Sequence, residues 1–187
     1  KNDNYAKDIE GKRRLVPFIV NSKASNTNIK DSDGNILYKG MEPSELRSHI
    51  ASGQVPAGYD FVIATYSQFR GANETEKMIF LRSITQGAIV IMDESHNASG
   101  ASNTGKYLKE VLAGTAGAVF LSATFAKRPD NMPIYASKTA IKEANLNDEQ
   151  LIAAITNGGV ALQEILSSQL VAEGQMIRRE RSFEGIK

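Results

Sequence analysis

Short apolar runs alternate along the chain with segments in which apolar residues recur every three or four positions. The apolar runs predict four strands, at 15–20, 61–66, 88–93 and 119–123. Polar and apolar residues do not alternate within these runs, which is typical of parallel strands covered by helices on both faces. Pro17 weakens the prediction of the first strand, because proline has no amide hydrogen to donate to a neighbouring strand and prefers an edge of the sheet.

Five helices are predicted in the segments between and after these strands. The first, at 43–51, begins with Pro43 and places Leu46 and Ile50 four residues apart on one face. The others are predicted at 74–84, 102–114, 146–156 and 160–171. Together, the alternating strands and helices predict an α/β fold with a mostly parallel sheet flanked by helices.

Residues 22–40 interrupt this alternation with a polar, turn-rich segment. Its DSDG stretch at 31–34 is a strong turn signal, and the ILYK stretch that follows could form one arm of a short hairpin. We therefore predict a surface loop or a hairpin insertion here.

The composition narrows the range of function classes. The 22 Lys and Arg residues against 21 Asp and Glu residues leave a net charge of +1, so a basic surface for nucleic acid would have to be local. The absence of cysteine excludes disulfides and thiolate metal sites and fits a cytoplasmic protein. No apolar run approaches the ~18 residues of a membrane span, so we expect no membrane association. The chain does not begin with Met, and we interpret it as a piece of a longer polypeptide.

Polar residues follow three of the predicted strands at the point where each strand ends. They are Thr-Tyr-Ser-Gln at 65–68, Asp-Glu-Ser-His at 93–96 and Ser-Ala-Thr at 122–124. Ligands gather beyond the carboxyl ends of the strands in an open parallel sheet. We therefore expect the three groups to converge on one edge and to form a site.

The acidic group can divide the chemistry of phosphate transfer between its members. Asp93 can hold a hydrated Mg²⁺ through water, and Glu94 can polarise a water molecule for attack on a γ-phosphate. The hydroxyls of Ser122 and Thr124 are natural hydrogen-bond partners for His96, which would pass the state of the phosphate site to its neighbours. The alternative is that Asp93 and Glu94 only cap a following helix.

Two of these stretches resemble motifs of superfamily-two helicases and translocases. VIMDESH is similar to the DExH form of their Walker B motif, and FLSAT looks like their motif III. ATYSQ, DESHNA, SATFAKRPDNM and GQMIRRERSF resemble, more narrowly, the strawberry-notch-like branch, over about residues 59–183. The closing match is partial, because Glu180 and Arg181 stand where that branch usually has an apolar pair.

The resemblance implies part of a RecA-like P-loop NTPase domain, the first of two in an ATP-dependent DNA helicase that binds ATP and Mg²⁺. Asp93, Glu94 and His96 would be catalytic, and motif III would couple hydrolysis to strand movement through Ser122, Ala123 and Thr124. Nucleic acid, with RNA as the alternative to DNA, would contact a further set: Thr65, Ser67, Gln68, Arg70, Lys127 and Arg128. Bacterial and phage members occur on mobile elements, often fused to DNA methyltransferase regions.

The sequence departs from this family in one way that bears on activity. It contains no G-x-x-x-x-G-K-[ST] phosphate loop, which the family would place upstream of Lys1. We therefore expect residues 1–187 to form a single partial ATP-binding domain that does not hydrolyse ATP by itself. A catalytically lapsed scaffold or nucleic-acid-binding module stays open as a second hypothesis. A metal-dependent hydrolase that uses Asp93, Glu94 and His96 without nucleotide lacks a second cluster of metal ligands.

Overall fold

The computed structural model describes residues 11–21, 28–98, 102–123, 125 and 128–178. The chain divides into two compact units, Lys1–Ala88 and Ile89–Lys187, which we call unit 1 and unit 2. Within the described ranges, no helix is long and apolar enough to cross a membrane.

Unit 1 contains four strands and two helices among its described residues: β1 Pro17–Val20, β2 Ile29–Lys30, β3 Ile36–Tyr38, α1 Pro43–Ser52, β4 Phe61–Ala64 and α2 Glu76–Ile84. β1 and β4 are parallel, with Phe18 opposite Val62. In the described part of the chain β1 pairs with β4 alone.

The core of unit 1 forms around Phe18, which is 1% exposed. Its ring contacts Tyr59 and Phe80 edge to face, with centroid distances of 5.3 and 6.0 Å. β2 and β3 form an antiparallel hairpin within the polar segment 22–40, of which residues 22–27 lie outside the described ranges. The hairpin is anchored because the Tyr38 hydroxyl donates to the carbonyl oxygen of Pro17 at 2.9 Å.

Unit 2 is built from β5 Ile89–Met92, α3 Asn103–Gly114, β6 Gly117–Phe120, α4 Met132–Ala136 and α5 Asp148–Ala172. β5 and β6 are parallel, with Met92 opposite Phe120. The last two helices and the turn between them supply a buried apolar cluster: Met132, Tyr135, Ile141, Leu151, Ile155 and Leu170. This cluster forms the core of the unit beside the strand pair.

α5 is interrupted at Gly159, where φ is 56° and ψ is −148°. The two helices predicted at 146–156 and 160–171 therefore exist as the two halves of α5. The first half begins with a capping box, in which the side chain of Asn147 accepts from Gln150 N–H and the side chain of Gln150 accepts from Asn147 N–H.

The predicted α/β class with parallel strands flanked by helices is confirmed, but two expectations about the strands are wrong. The last strand covers 117–120 instead of 119–123, because the small residues Gly117 and Ala118 pair with β5 although they add little apolar surface. Within the described ranges, the strands are not covered on both faces. Ile89 and Ile91 are 71% and 66% exposed, whereas Met92, on the other face of β5, is buried.

Candidate functional site

The chain turns sharply as soon as β5 ends at Met92. Asp93 and Glu94 are both exposed, and Asp93 Oδ1 accepts the N–H of Glu94 at 3.0 Å. Glu94 adopts φ 48° and ψ 46°, in the left-handed region that residues with a side chain seldom adopt. A single 3-10 turn, Ser95–Asn97, follows, and the side chain of Glu94 makes no capping hydrogen bond to it. The structure therefore presents the two carboxylates to solvent.

Ser95 anchors this turn to the end of β6. It is 1% exposed, and both its N–H and its hydroxyl lie within hydrogen-bond distance of the carbonyl oxygen of Leu121, at 2.9 and 3.2 Å. The N–H of Leu121 in turn donates to the carbonyl oxygen of Met92 at 2.9 Å. The carboxyl ends of β5 and β6 are thus joined by three hydrogen bonds beyond the strand ladder.

His96 brings the two predicted motifs together. Its Nδ1 lies 3.1 Å from Ser122 Oγ and 3.2 Å from Glu94 Oε2. A carboxylate can only accept a hydrogen bond, so the contact with Glu94 requires a proton on Nδ1. That N–H faces two acceptors, the carboxylate of Glu94 and the hydroxyl oxygen of Ser122.

The rest of the predicted motif III group is described only in part. Ala123 is exposed directly after Ser122, whereas Thr124 and Lys127 lie outside the described residues. The Arg128 guanidinium pairs with the carboxylate of Asp130 at 3.1 Å. Nearer the C-terminus Arg178 pairs with Glu164 at 2.5 Å, and this contact holds the pKa of the Glu164 carboxyl below its usual value.

The predicted nucleic-acid residues at the end of β4 belong to unit 1. The hydroxyls of Thr65 and Ser67 are exposed and lie 2.8 Å apart. Gln68 is half-buried, and its side chain joins Asn21, at the end of β1, to Lys77, at distances of 3.5 and 2.9 Å. Arg70 is exposed. The convergence of this group with Asp93, Glu94 and His96 on one edge stays a prediction.

Comparison with known proteins places the chain in a family. A family model described as P-loop containing NTP hydrolase pore-1 matches residues 7–187. The chain belongs to the P-loop NTP hydrolase pore-1 family. It is 30% identical to protein strawberry notch homolog 2 of Mus musculus over 203 residues, and 31% identical to that of Homo sapiens over 198 residues.

These matches cover 98% and 95% of the chain, which spans 14% of the length of each relative. No solved structure gives a significant match. The resemblance to the strawberry-notch-like branch is therefore confirmed, and the fold is that of a helicase-related P-loop NTPase.

P-loop NTP hydrolases generally bind ATP with Mg²⁺, and the acidic side chains of this turn can be compared with the ligands that Mg²⁺ prefers. Mg²⁺ keeps several of its waters and commonly takes one or two carboxylates together with phosphate oxygens. An exposed carboxylate at Asp93, beside the exposed Glu94, fits that coordination. Within the described ranges no three His, Asp or Glu side chains could hold a metal ion together, so a metal held by protein side chains alone has no ligand set there.

Three contacts to residues of the predicted motifs were not foreseen from the sequence, two in unit 2 and one in unit 1. Asn131 donates from Nδ2 to the carbonyl oxygen of His96 at 2.9 Å, and the Tyr135 hydroxyl lies 3.0 Å from Ser95 Oγ. In unit 1, Lys77 donates to Gln68, and partial burial lowers the pKa of its ammonium group. The PDNM stretch at 129–132 was a signal for Asn131, but nothing in the sequence connected it to His96.

Proposed function

We propose that this chain carries the magnesium-holding and water-activating residues of an ATP-dependent nucleic-acid helicase or translocase. One observation carries the proposal: in a chain of the P-loop NTP hydrolase pore-1 family, Asp93, Glu94, His96 and Ser122 meet at the carboxyl end of the β5–β6 pair. The sequence contains no phosphate loop, so we place that loop in another part of a longer polypeptide.

The two carboxylates take different parts of the reaction. Asp93 would hold a hydrated Mg²⁺, and Glu94 would accept a hydrogen bond from the attacking water and align it with the γ-phosphate. Bound Mg²⁺ neutralises the charge that develops on the phosphate oxygens. Exposure of both side chains supports this division, because water and a hydrated ion can reach both carboxylates.

His96 connects hydrolysis to movement. In the described geometry its Nδ1–H lies within reach of both Glu94 and Ser122. When Glu94 turns toward the attacking water, the same N–H remains bonded to Ser122, at the end of β6. The hydrogen bond between His96 and Ser122 would thereby link the position of the Glu94 side chain to the motif III stretch, Ser122, Ala123 and Thr124.

Nucleic acid is the proposed substrate of the movement. The groups that would contact the phosphate backbone without reading the bases are the exposed hydroxyls of Thr65 and Ser67, the amide of Gln68, and the cations Arg70, Lys127 and Arg128. DNA is the first choice of strand and RNA the second. A second RecA-like domain of the same polypeptide would supply the arginine finger that completes the site.

The test is steady-state ATP hydrolysis by a longer polypeptide that joins this chain to a segment with a phosphate loop. We expect turnover that requires Mg²⁺ and rises when single-stranded DNA is added, while residues 1–187 alone show none. Stimulation by RNA but not by DNA would change the substrate class. Absence of turnover under every condition would favour the catalytically lapsed scaffold instead.

A further inference from the structure

Two buried side chains, Asn131 and Tyr135, hold the DESH turn at His96 and Ser95. Asn131 ends the 3-10 turn Pro129–Asn131 and is 2% exposed, and Tyr135 lies in α4 and is 4% exposed. Asn131 Nδ2 donates to the carbonyl oxygen of His96 at 2.9 Å, and the Tyr135 hydroxyl lies 3.0 Å from Ser95 Oγ. Consecutive residues of the turn are therefore each held by a separate side chain.

The direction of the Tyr135 hydrogen bond follows from the number of hydrogens. Ser95 has a single hydroxyl hydrogen, and that hydroxyl lies 3.2 Å from the carbonyl oxygen of Leu121, which can only accept. When Ser95 donates to Leu121, the Tyr135 hydroxyl must donate to Ser95 Oγ. Ser95 is then fixed to both the end of β6 and α4.

The position of Tyr135 does not depend on this hydrogen bond. Its ring packs against those of Phe120 and Phe125, each with a centroid distance of 5.2 Å. Because the aromatic contacts place the ring, Tyr135→Phe removes the hydroxyl and leaves the packing intact.

Asn131 is bonded on one side of its amide only. Its Oδ1 is buried and, within the ranges that the structure describes, has no hydrogen-bond partner. An unpaired buried acceptor destabilises a fold, so the amide is a costly choice if it serves packing alone. What distinguishes Asn131 from an apolar residue of the same size is its Nδ2–H bond to His96.

We propose that Asn131 and Tyr135 are positioning residues for hydrolysis, which act through His96 and Ser95 on Glu94. Glu94 lies in the left-handed region, and such a conformation persists only where the surrounding structure determines it. Asn131 and Tyr135 stabilise this conformation by fixing the two residues that follow Glu94. This inference rests on the proposed role of Glu94 in activating water.

The first test uses this chain and needs no nucleotide. We expect Tyr135→Phe and Asn131→Asp to speed amide hydrogen exchange of Ser95, Asn97 and Ala98 by about tenfold, while amides of α5 keep their rates. Tyr107→Phe, which removes a hydroxyl from a buried tyrosine of α3, is the matched control. Unchanged exchange in the turn, or an equal increase throughout unit 2, would overturn the proposal.

The second test uses the longer polypeptide that hydrolyses ATP. We expect each variant to lower kcat about tenfold with KM for ATP unchanged, because neither side chain is placed to contact nucleotide. Tyr135→Phe should add little to the effect of Ser95→Ala, since Ser95→Ala already removes the hydroxyl to which Tyr135 donates. An unchanged kcat would overturn the catalytic part.

The two tests separate failure of this inference from failure of the proposed function. If the wild-type polypeptide shows no turnover, the proposed function fails and the role in hydrolysis fails with it. Faster exchange confined to the turn would then still show that Asn131 and Tyr135 hold Ser95 and His96.

Discussion

Asp60 ties the segment before β1 to the start of β4. Its carboxylate accepts the N–H of Val16 at 2.7 Å and pairs with the Arg13 guanidinium at 2.8 Å. The hydrogen bond from Val16, followed by that from Arg13, holds the pKa of Asp60 below its ordinary value. Because the pKa is lower in the folded than in the unfolded chain, the ionised carboxylate stabilises the fold above the unfolded pKa. That stability is lost as the pH falls through the folded pKa.

We therefore expect Asp60→Asn to lower the Tm at pH 7, and the difference from wild type to shrink as the pH falls from about 4 toward 2. Thermal unfolding followed by circular dichroism across this range measures it. Asp33→Asn, at an exposed carboxylate in the turn between β2 and β3, is the control. A difference in Tm that does not change with pH would contradict the assignment.

At the scale of single residues, the sequence predicted which side chains form the candidate site but not the backbone conformations that place them. Asp93, Glu94, His96 and Ser122 could be grouped because parallel strands bring their carboxyl ends to one edge. The left-handed backbone of Glu94 could not be predicted, since glutamate has no intrinsic preference for it. The bond from Tyr135 to Ser95 spans 40 residues and depends on packing that no local pattern reports.

The break in α5 is the clearest feature at the scale of elements. Gly159 has φ 56° and ψ −148°, a conformation open essentially to glycine alone, and a Cβ on Gly158 would lie 2.5 Å from that of Leu162. We expect Gly159→Ala to lower the free energy of unfolding by about 1–3 kcal/mol.

Urea denaturation measures this effect. Gly117→Ala is the control, because a Cβ at Gly117 meets no atom within 4 Å and the backbone there is not left-handed. A Gly159→Ala variant as stable as wild type would show that α5 tolerates a continuous helix.

The start of α5 carries a separate prediction. Asn147 accepts the N–H of Gln150 at 2.9 Å as the N-cap of the helix. We expect Asn147→Ala to lower the free energy of unfolding by about 1 kcal/mol, and Asn147→Asp, which keeps the acceptor oxygen, to leave it nearly unchanged. Equal stability of the two variants in urea denaturation would count against the cap.

Most elements followed the sequence pattern, but α4 and β6 did not. The helices at 43–51, 74–84 and 102–114 were found within two residues of their predicted ends. α4, with five residues, is too short for an apolar periodicity to be visible. β6 begins at Gly117, where apolarity gives no signal and pairing with β5 decides.

At the scale of the whole molecule, residues 7–187 show the family, whereas the proposed ATP hydrolysis is expected of a longer polypeptide. The family model matches residues 7–187, whereas the chain spans 14% of the length of its strawberry notch relatives. Among the described residues the strands are not covered on both faces as expected, because cover depends on neighbouring segments that a strand's own residues cannot report. Ile89 and Ile91 show this, since they are as apolar as core residues and yet exposed.

We propose that Glu94 activates the water that hydrolyses ATP. The most direct measurement is the single-turnover rate of ATP hydrolysis by the longer polypeptide with a phosphate loop, comparing wild type with Glu94→Gln. Glu149→Gln, at another exposed carboxylate of unit 2, is the matched control.

We expect Glu94→Gln to lower the rate at least about a hundredfold, as loss of a general base does, while Glu149→Gln hydrolyses ATP like wild type. Nucleotide binding should persist in both variants, because Glu94 is assigned to the water and not to the phosphates. A Glu94→Gln polypeptide that hydrolyses ATP at the wild-type rate would contradict the account.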